Sequence, residues 1–314
     1  MSSAQRAGRS GRTAPGQCYR LYSEECFAAM LPETVPEIQR TSLSNTVLYL
    51  KALGLMDVLG FDFLDPPSAD QLSEALVELH VLGALDDQGV VTLIGGGMSR
   101  FPVEPSIARM LVAAADSGER ELVEDVVAIA AMLSVEQIWV EKPLSGLKRK
   151  ASEDRGRGDS VDQRARAIDS AQSALRDERG DHFTLLRVFR EWEAAADGKE
   201  WCERHFVKLR ALRNARNIYS QLLPDAKACL TQTPASDRRG LSSRRREELV
   251  RFSILQGLFM NAARRCSPDS TVYRSCDLVV PGASDGVRLL HLHPDSSLVA
   301  ATSIADYVVY QVRC

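Results

Sequence analysis

Two separated blocks of apolar residues at helical spacing constrain this chain most. Ile107, Met110, Leu111 and Ala114, followed by Val123, Val126, Val127, Ala130 and Leu133, recur at intervals of about three and four. Leu185, Phe189 and Trp192, then Ala211, Ala215, Ile218 and Leu222, resume the pattern further on. A stripe of that period leaves one helix face apolar, and only another packed element can cover it. The blocks therefore predict a helical bundle over 103–230, built from segments distant in the chain. Between them, residues 141–179 are polar and carry Lys148-Arg149-Lys150 and Arg155-Gly156-Arg157-Gly158, so they read as an insertion or flexible loop. Lys148 to Lys150 form either a solvated part of that loop or a nuclear-targeting cluster.

Upstream of the bundle the pattern is helical but punctuated. Leu43, Val47 and Leu50 share a face ending at Gly54, and Asp65-Pro66-Pro67 forces a break. Ser68 and Gln71 have capping-box spacing, and Leu72, Ala75, Leu76 and Leu79 then repeat at i, i+3, i+4, i+7. Gly83 to Leu93 reads as helix end, turn and strand, so 43–102 has the helix, helix, β-wing order of a winged helix. Gly95-Gly96-Gly97 suits a flexible wing, since no helix-opening G-x-G-x-x-G follows. Before this segment, Cys18 to Tyr22 alternates as a strand would and Glu24 to Met30 suits a short helix, making 1–42 the tail of a larger α/β unit.

The carboxy-terminal part, 231–314, reads differently. A Ser/Arg/Gly-rich loop from Thr231 to Arg246 precedes a helix from Glu247 to Arg264, and β-like runs follow at Thr271 to Tyr273, Val287 to Leu292 and Asp306 to Val312. Short strands in this number suit part of an antiparallel barrel of the oligonucleotide-binding type. The expected fold class is thus mainly α with small β parts: the end of an α/β domain, a winged helix, a helical bundle and a partial barrel.

Composition narrows the function classes. A net charge of -3 over 314 residues excludes nucleic-acid binding by overall charge, so any such contact must come from local patches. One patch is legible: from Cys202 to Gln221, expected as one helix, Lys208, Arg210, Arg213 and Arg216 face a single acid, Glu203. That stripe suits either a solvated surface or a phosphate backbone. Seven cysteines form no C-x-x-C pair, which suits reduced thiols. No metal site is expected: His291, His293 and Asp295 alternate, but Pro294 explains them as a turn. Asp181 and His182 lack a nucleophile beside them and read as a helix start capped by Asp181.

One octet carries chemistry. Gln5-Arg6-Ala7-Gly8-Arg9-Ser10-Gly11-Arg12 spaces three rigid cationic forks with small residues, and Arg9 and Arg12 could reach neighbouring oxygens of one polyphosphate. Together with Gly16-Gln17-Cys18-Tyr19-Arg20-Leu21-Tyr22, it resembles motif VI, QRxGRxGR, of the DEAH-box RNA helicases and the strand that follows it. Val35 to Arg40, Phe61 to Pro67, Phe101 to Pro105, Ile129 to Ser134, Gly180 to Leu186, Trp201-Cys202 and His293 to Ser297 match that family in the same order. The resemblance is closest to helicases that act as pre-mRNA splicing factors.

The resemblance implies the carboxy-terminal portion of such an enzyme, from motif VI onward. Gln5 would help position the attacking water, while Arg9 and Arg12 would contact the terminal phosphates of ATP, with Mg2+ present in the complete enzyme. Neither G-x-x-x-x-G-K-[ST] nor a DEAH tetrad occurs in these 314 residues, so the chain alone is expected to be inactive. The implied partners are single-stranded RNA on Lys208, Arg210, Arg213 and Arg216, a ribonucleoprotein complex and a glycine-patch activator on the winged helix. A membrane is not among them, and the nucleus is the implied location. The rival reading is a non-catalytic adaptor that binds RNA or another helicase.

Overall fold

A computed structural model describes residues 2–11, 13–30, 35–141, 155–230, 242–267, 270–276, 288–300 and 305–311. The chain divides into two compact units, 1–78 and 79–314. The first begins with two short helices, α1 (Ser2–Ala7) and α2 (Glu24–Ala29), and α2 buries none of its residues. Cys18 to Tyr22 is extended or bent chain without a strand partner among the described residues, so the strand expected there is not formed. In α3 (Ser44–Ala52), Val47 and Leu48 are buried. The capping box at the start of α4 (Ala69–Val81) forms as expected: Ser68 Oγ accepts from Gln71 N at 3.2 Å, and Gln71 Oε1 accepts from Ser68 N at 3.2 Å.

In the second unit the expected wing takes another form. Leu85 and Val91 make only an isolated antiparallel bridge, after which α5 (Leu93–Met98) contains all three wing glycines. Thr92 explains the change, accepting from Gly95 N at 3.0 Å while donating to Gly83 O at 2.6 Å. A Cβ on Gly95 would lie 2.1 Å from Ala84 O, so only glycine permits this approach.

The bundle centres on α6 (Pro105–Asp116) and α7 (Arg120–Leu133), whose inward faces include Met110, Leu111, Val126 and Ile129, all excluded from solvent. Around them pack α9 (Asp181–Ala194), α11 (Leu209–Ala228) and α12 (Ser243–Leu258). Residues 142–154 lie outside the described residues, the Lys148 to Lys150 cluster among them. The rest of the expected loop is largely α8 (Arg155–Leu175), which packs on α9 and on α10 (Gly198–His205). Ile168 and Leu175 anchor it, and two apolar residues seven apart are too few for a period to be legible.

The helix expected from Glu247 instead begins at Ser243, with Ser242 Oγ accepting from Arg245 N at 3.3 Å. It stops at Leu258, and Ala262–Arg265 forms β1. With β2 (Val272–Ser275), β3 (Leu289–His291) and β4 (Tyr307–Val309) it makes an antiparallel sheet in the order β3-β2-β1-β4. Ala263 pairs with Ser275 on one side and Val308 on the other.

Candidate nucleic-acid interface

The basic stripe does not lie on one helix. α10 is capped by Asp197, whose carboxylate accepts from Lys199 N at 2.7 Å and Glu200 N at 3.1 Å, bonds that hold its pKa below the usual carboxylate value. The helix ends at Phe206, where φ of 53° and ψ of 47° place a bulky residue in the left-handed region. Beyond it the chain pairs with 138–140: Val140 N donates to Phe206 O at 3.0 Å and Lys208 N to Ile138 O at 2.7 Å. Gln172 Nε2, from α8, reaches both Phe206 O and Val140 O at 3.2 Å. This two-strand contact breaks the expected helix. Its local signal was the β-favouring triplet Ile138-Trp139-Val140, whose partner lies some 70 residues away and cannot be read from local spacing.

α11 begins directly after the break. Ala211, Leu212, Ala215, Leu222 and Ala226 turn inward, and Arg210, Arg213 and Arg216 stand exposed on the other side. Lys208 is half-buried at the start of the helix. Arg216 Nε lies 3.7 Å from Glu193 Oε1, so its charge is partly matched within the bundle. The other bundle cations largely pair with acids: Arg187 with Glu191, Arg204 with Glu200, and Lys227 with Glu124. Among the described residues, Lys208, Arg210 and Arg213 stand in no ion pair. Beneath them the Cys202 thiol is pushed up to about 11 by burial, against the pull of Arg213 and with a small push from Glu203.

The octet lies in the first unit. Gln5 is on α1, Arg9 follows in the turn after it, and both are exposed; Arg12 lies outside the described residues. These residues suit cationic contacts to a triphosphate, whereas the chain offers no phosphate loop to hold one. Among the described residues, no three His, Cys, Asp or Glu side chains are placed to hold a metal ion. No helix among the described residues is long and apolar enough to cross a membrane.

Two further readings are corrected. Arg244 to Arg246 lie on α12 rather than on a loop, and Arg246 is consumed internally: its Nε donates to Asp125 Oδ2 at 2.5 Å and its Nη1 to Glu121 Oε2 at 2.7 Å. Asp125, buried on α7, also pairs with Arg190 of α9, so one carboxylate ties three helices together. Asp181 does not cap its own helix, because Gly180 holds the N-cap position. It accepts instead from Ser296 Oγ and Ser297 N, each at 2.7 Å, joining the bundle to the turn that leads out of β3. His293 and Asp295 belong to that turn, with Asp295 N donating to His293 Nδ1 at 3.2 Å.

Comparison with known proteins agrees with this arrangement. Residues 104–185 match the family model described as "Helicase associated domain (HA2), ratchet-like". This match runs through the segment that reads as a loop in the sequence. Across 310 residues, 98% of the chain, the sequence is 34% identical to the pre-mRNA-splicing factor ATP-dependent RNA helicase prp22 of Schizosaccharomyces pombe. The chain spans 23% of that relative's length.

Proposed function

Since the chain belongs to the DEAH-box RNA helicases, as a portion of their carboxy-terminal part, we propose that it guides single-stranded RNA while the complete enzyme hydrolyses ATP. The observation that carries this reading is the exposed start of α11, where Lys208, Arg210 and Arg213 are left without ion pairs among the described residues while neighbouring cations are matched. A phosphate backbone supplies the missing counter-charge. Gln5, Arg9 and Arg12 would contribute to the ATP site, with Mg2+ and the phosphate loop supplied by the rest of the enzyme. In this reading 1–42 closes a RecA-like domain, 43–102 is a winged helix, 103–230 is the ratchet bundle and 231–314 includes part of an oligonucleotide-binding barrel. The relative's role in splicing supports an RNA-processing complex in the nucleus, with a glycine-patch activator as a candidate protein partner.

The test is the salt dependence of RNA binding by the 314-residue chain. If about three phosphates are neutralised, affinity for a single-stranded oligouridylate falls with salt at a log–log slope near -2, from roughly 0.7 per contact. Charge reversal at Arg210 and Arg213 should flatten the slope toward zero. An unchanged slope would return α11 to the status of a solvated surface.

A further inference from the structure

The turn between α10 and α11 contains the one non-glycine residue with positive φ among the described residues, Phe206. A bulky residue in the left-handed region is disfavoured and persists only where its surroundings over-determine it. Here they do. Phe206 N–H donates to Cys202 O, and Phe206 O accepts from both Val140 N and Gln172 Nε2. The ring held in this way lines a cleft of about 320 Å3, with Val140, Val207 and Leu209 as apolar wall and Arg164 and Lys199 as basic rim. Such a volume lies at the small end of ligand pockets and suits one planar ring system. The cleft adjoins Lys208 and Arg210, which belong to the same turn and the first turn of α11.

An apolar slot with an aromatic wall and a cationic rim, set beside unmatched cations, combines what a single nucleotide presents. It offers a ring face to the base and positive charge to the flanking phosphates. We propose that this cleft receives one nucleobase of a single-stranded RNA, stacked on Phe206, with Arg164 and Lys199 facing the adjoining phosphates. The assignment rests on the RNA reading above and adds a base-contacting subsite to it. It explains why a strained aromatic occupies a position that glycine would adopt freely: the ring is needed where the backbone turns.

The experiment compares two ligands on the intact 314-residue chain, a 12-nucleotide oligouridylate and its abasic counterpart with the same phosphates. Stacking of one base on an aromatic side chain is worth about ten-fold in affinity, so the intact strand should bind about ten-fold more tightly. Phe206→Gly removes the ring and relieves the positive φ, so the fold is kept. It should bring the two affinities together while leaving the salt slope of the abasic strand unchanged. Arg164→Gln with Lys199→Gln should lower that slope by about 1, from roughly 0.7 per contact, and preserve part of the preference for the intact strand.

A preference for bases that survives Phe206→Gly overturns the subsite while leaving RNA binding on α11 intact. Equal competition by polyglutamate and by oligouridylate in the wild-type chain also overturns it, identifying the cleft as a general anion groove. Absence of salt-dependent binding to either strand instead fails the RNA reading, and the subsite with it. As a direct check, 4-thiouridine in the strand should cross-link to the tryptic peptide His205 to Lys208. Cross-links confined to Ala211 to Arg216 would overturn the subsite alone.

Discussion

The octet around Arg9 and the bundle around α7 carry different kinds of information. Of the described residues from 4 to 30, none is buried and only Ala7 is half-buried, whereas α7 buries eleven of its fourteen residues. In the octet the side chains are chemically specific and packing does little to place them. In the bundle packing fixes every helix, and the chemistry is confined to what packing leaves outside: Lys208, Arg210 and Arg213. A motif therefore identifies the family from residues that the fold barely supports, and a period identifies a fold that says little about chemistry. The contrast can be broken by substitutions on each side.

The largest effect belongs to the octet. In the complete enzyme, Arg9→Ala or Arg12→Ala should cut RNA-stimulated ATP turnover by about a hundred-fold or more, the scale expected when a charge contact to a transferring phosphoryl group is lost. Both variants should leave the unfolding midpoint unchanged, because Arg9 is exposed on a turn. Turnover within about three-fold of wild type would remove the assignment to the ATP site. Charge reversal at Arg213 should do the opposite, preserving basal turnover and weakening its stimulation by RNA.

Inside the bundle the sensitive point is Asp125. Asp125→Ala leaves Arg190 and Arg246 without their shared carboxylate at the junction of α7, α9 and α12, and should cost about 3 kcal/mol, read as a lowered urea midpoint. Ser23→Ala, which removes the Oγ that accepts from Cys26 N at the start of α2, is the matched control in the first unit. A cap of this kind is worth about 1 kcal/mol to its own helix, but α2 buries nothing, so global unfolding should not register its loss. Equal sensitivity of the two sites would mean that α2 is packed after all.

A third substitution probes shape alone. Gly257 of α12 faces α6, and a Cβ there would lie 2.2 Å from Ser106 O. Gly257→Val must push the helices apart and should cost about 1–3 kcal/mol in the same urea experiment. RNA affinity should change little, because α11 carries the proposed contacts. Loss of RNA binding in a folded Gly257→Val variant would shift the interface toward α12.

These contrasts also explain what was legible in the sequence. Met110, Val126, Ile129 and Phe189 sit at a local period, and the helices they specify are where that period puts them. The Ser68–Gln71 box is local too, and it forms. What was missed depends on distant partners. α8 is held by a few contacts with α9 and α10, the break at Phe206 is imposed by 138–140, and β1 pairs at Ala263 with residues 12 and 45 positions later. Asp181 is a natural capping residue by type, yet its oxygens are taken by Ser296 and Ser297. For the proposed interface, the cations were readable one by one. Which of them the fold leaves unmatched was not, since Glu193 reaches Arg216 from a separate helix.

The smallest effect separates the thiols of the two regions. Cys18 and Cys26 are exposed near the octet, while Cys202 is buried under α11 with its pKa pushed up to about 11. Only the thiolate attacks iodoacetamide, so at pH 8 both exposed cysteines should react within minutes and Cys202 should be spared, as peptide mass spectrometry would show. The linkage has a definite sign. Because the folded pKa is raised above that of an unfolded cysteine, near 9, the contribution of the neutral thiol to stability is fully present below pH 9 and is lost as pH rises through about 11. Cys202→Ala should therefore remove a small fall in the urea midpoint between pH 9 and pH 10.5, a window the octet cysteines do not affect. Rapid labelling of Cys202 at pH 8 would mean that the turn at Phe206 opens readily, and the distinction between a packed bundle and a bare octet would have to be redrawn there.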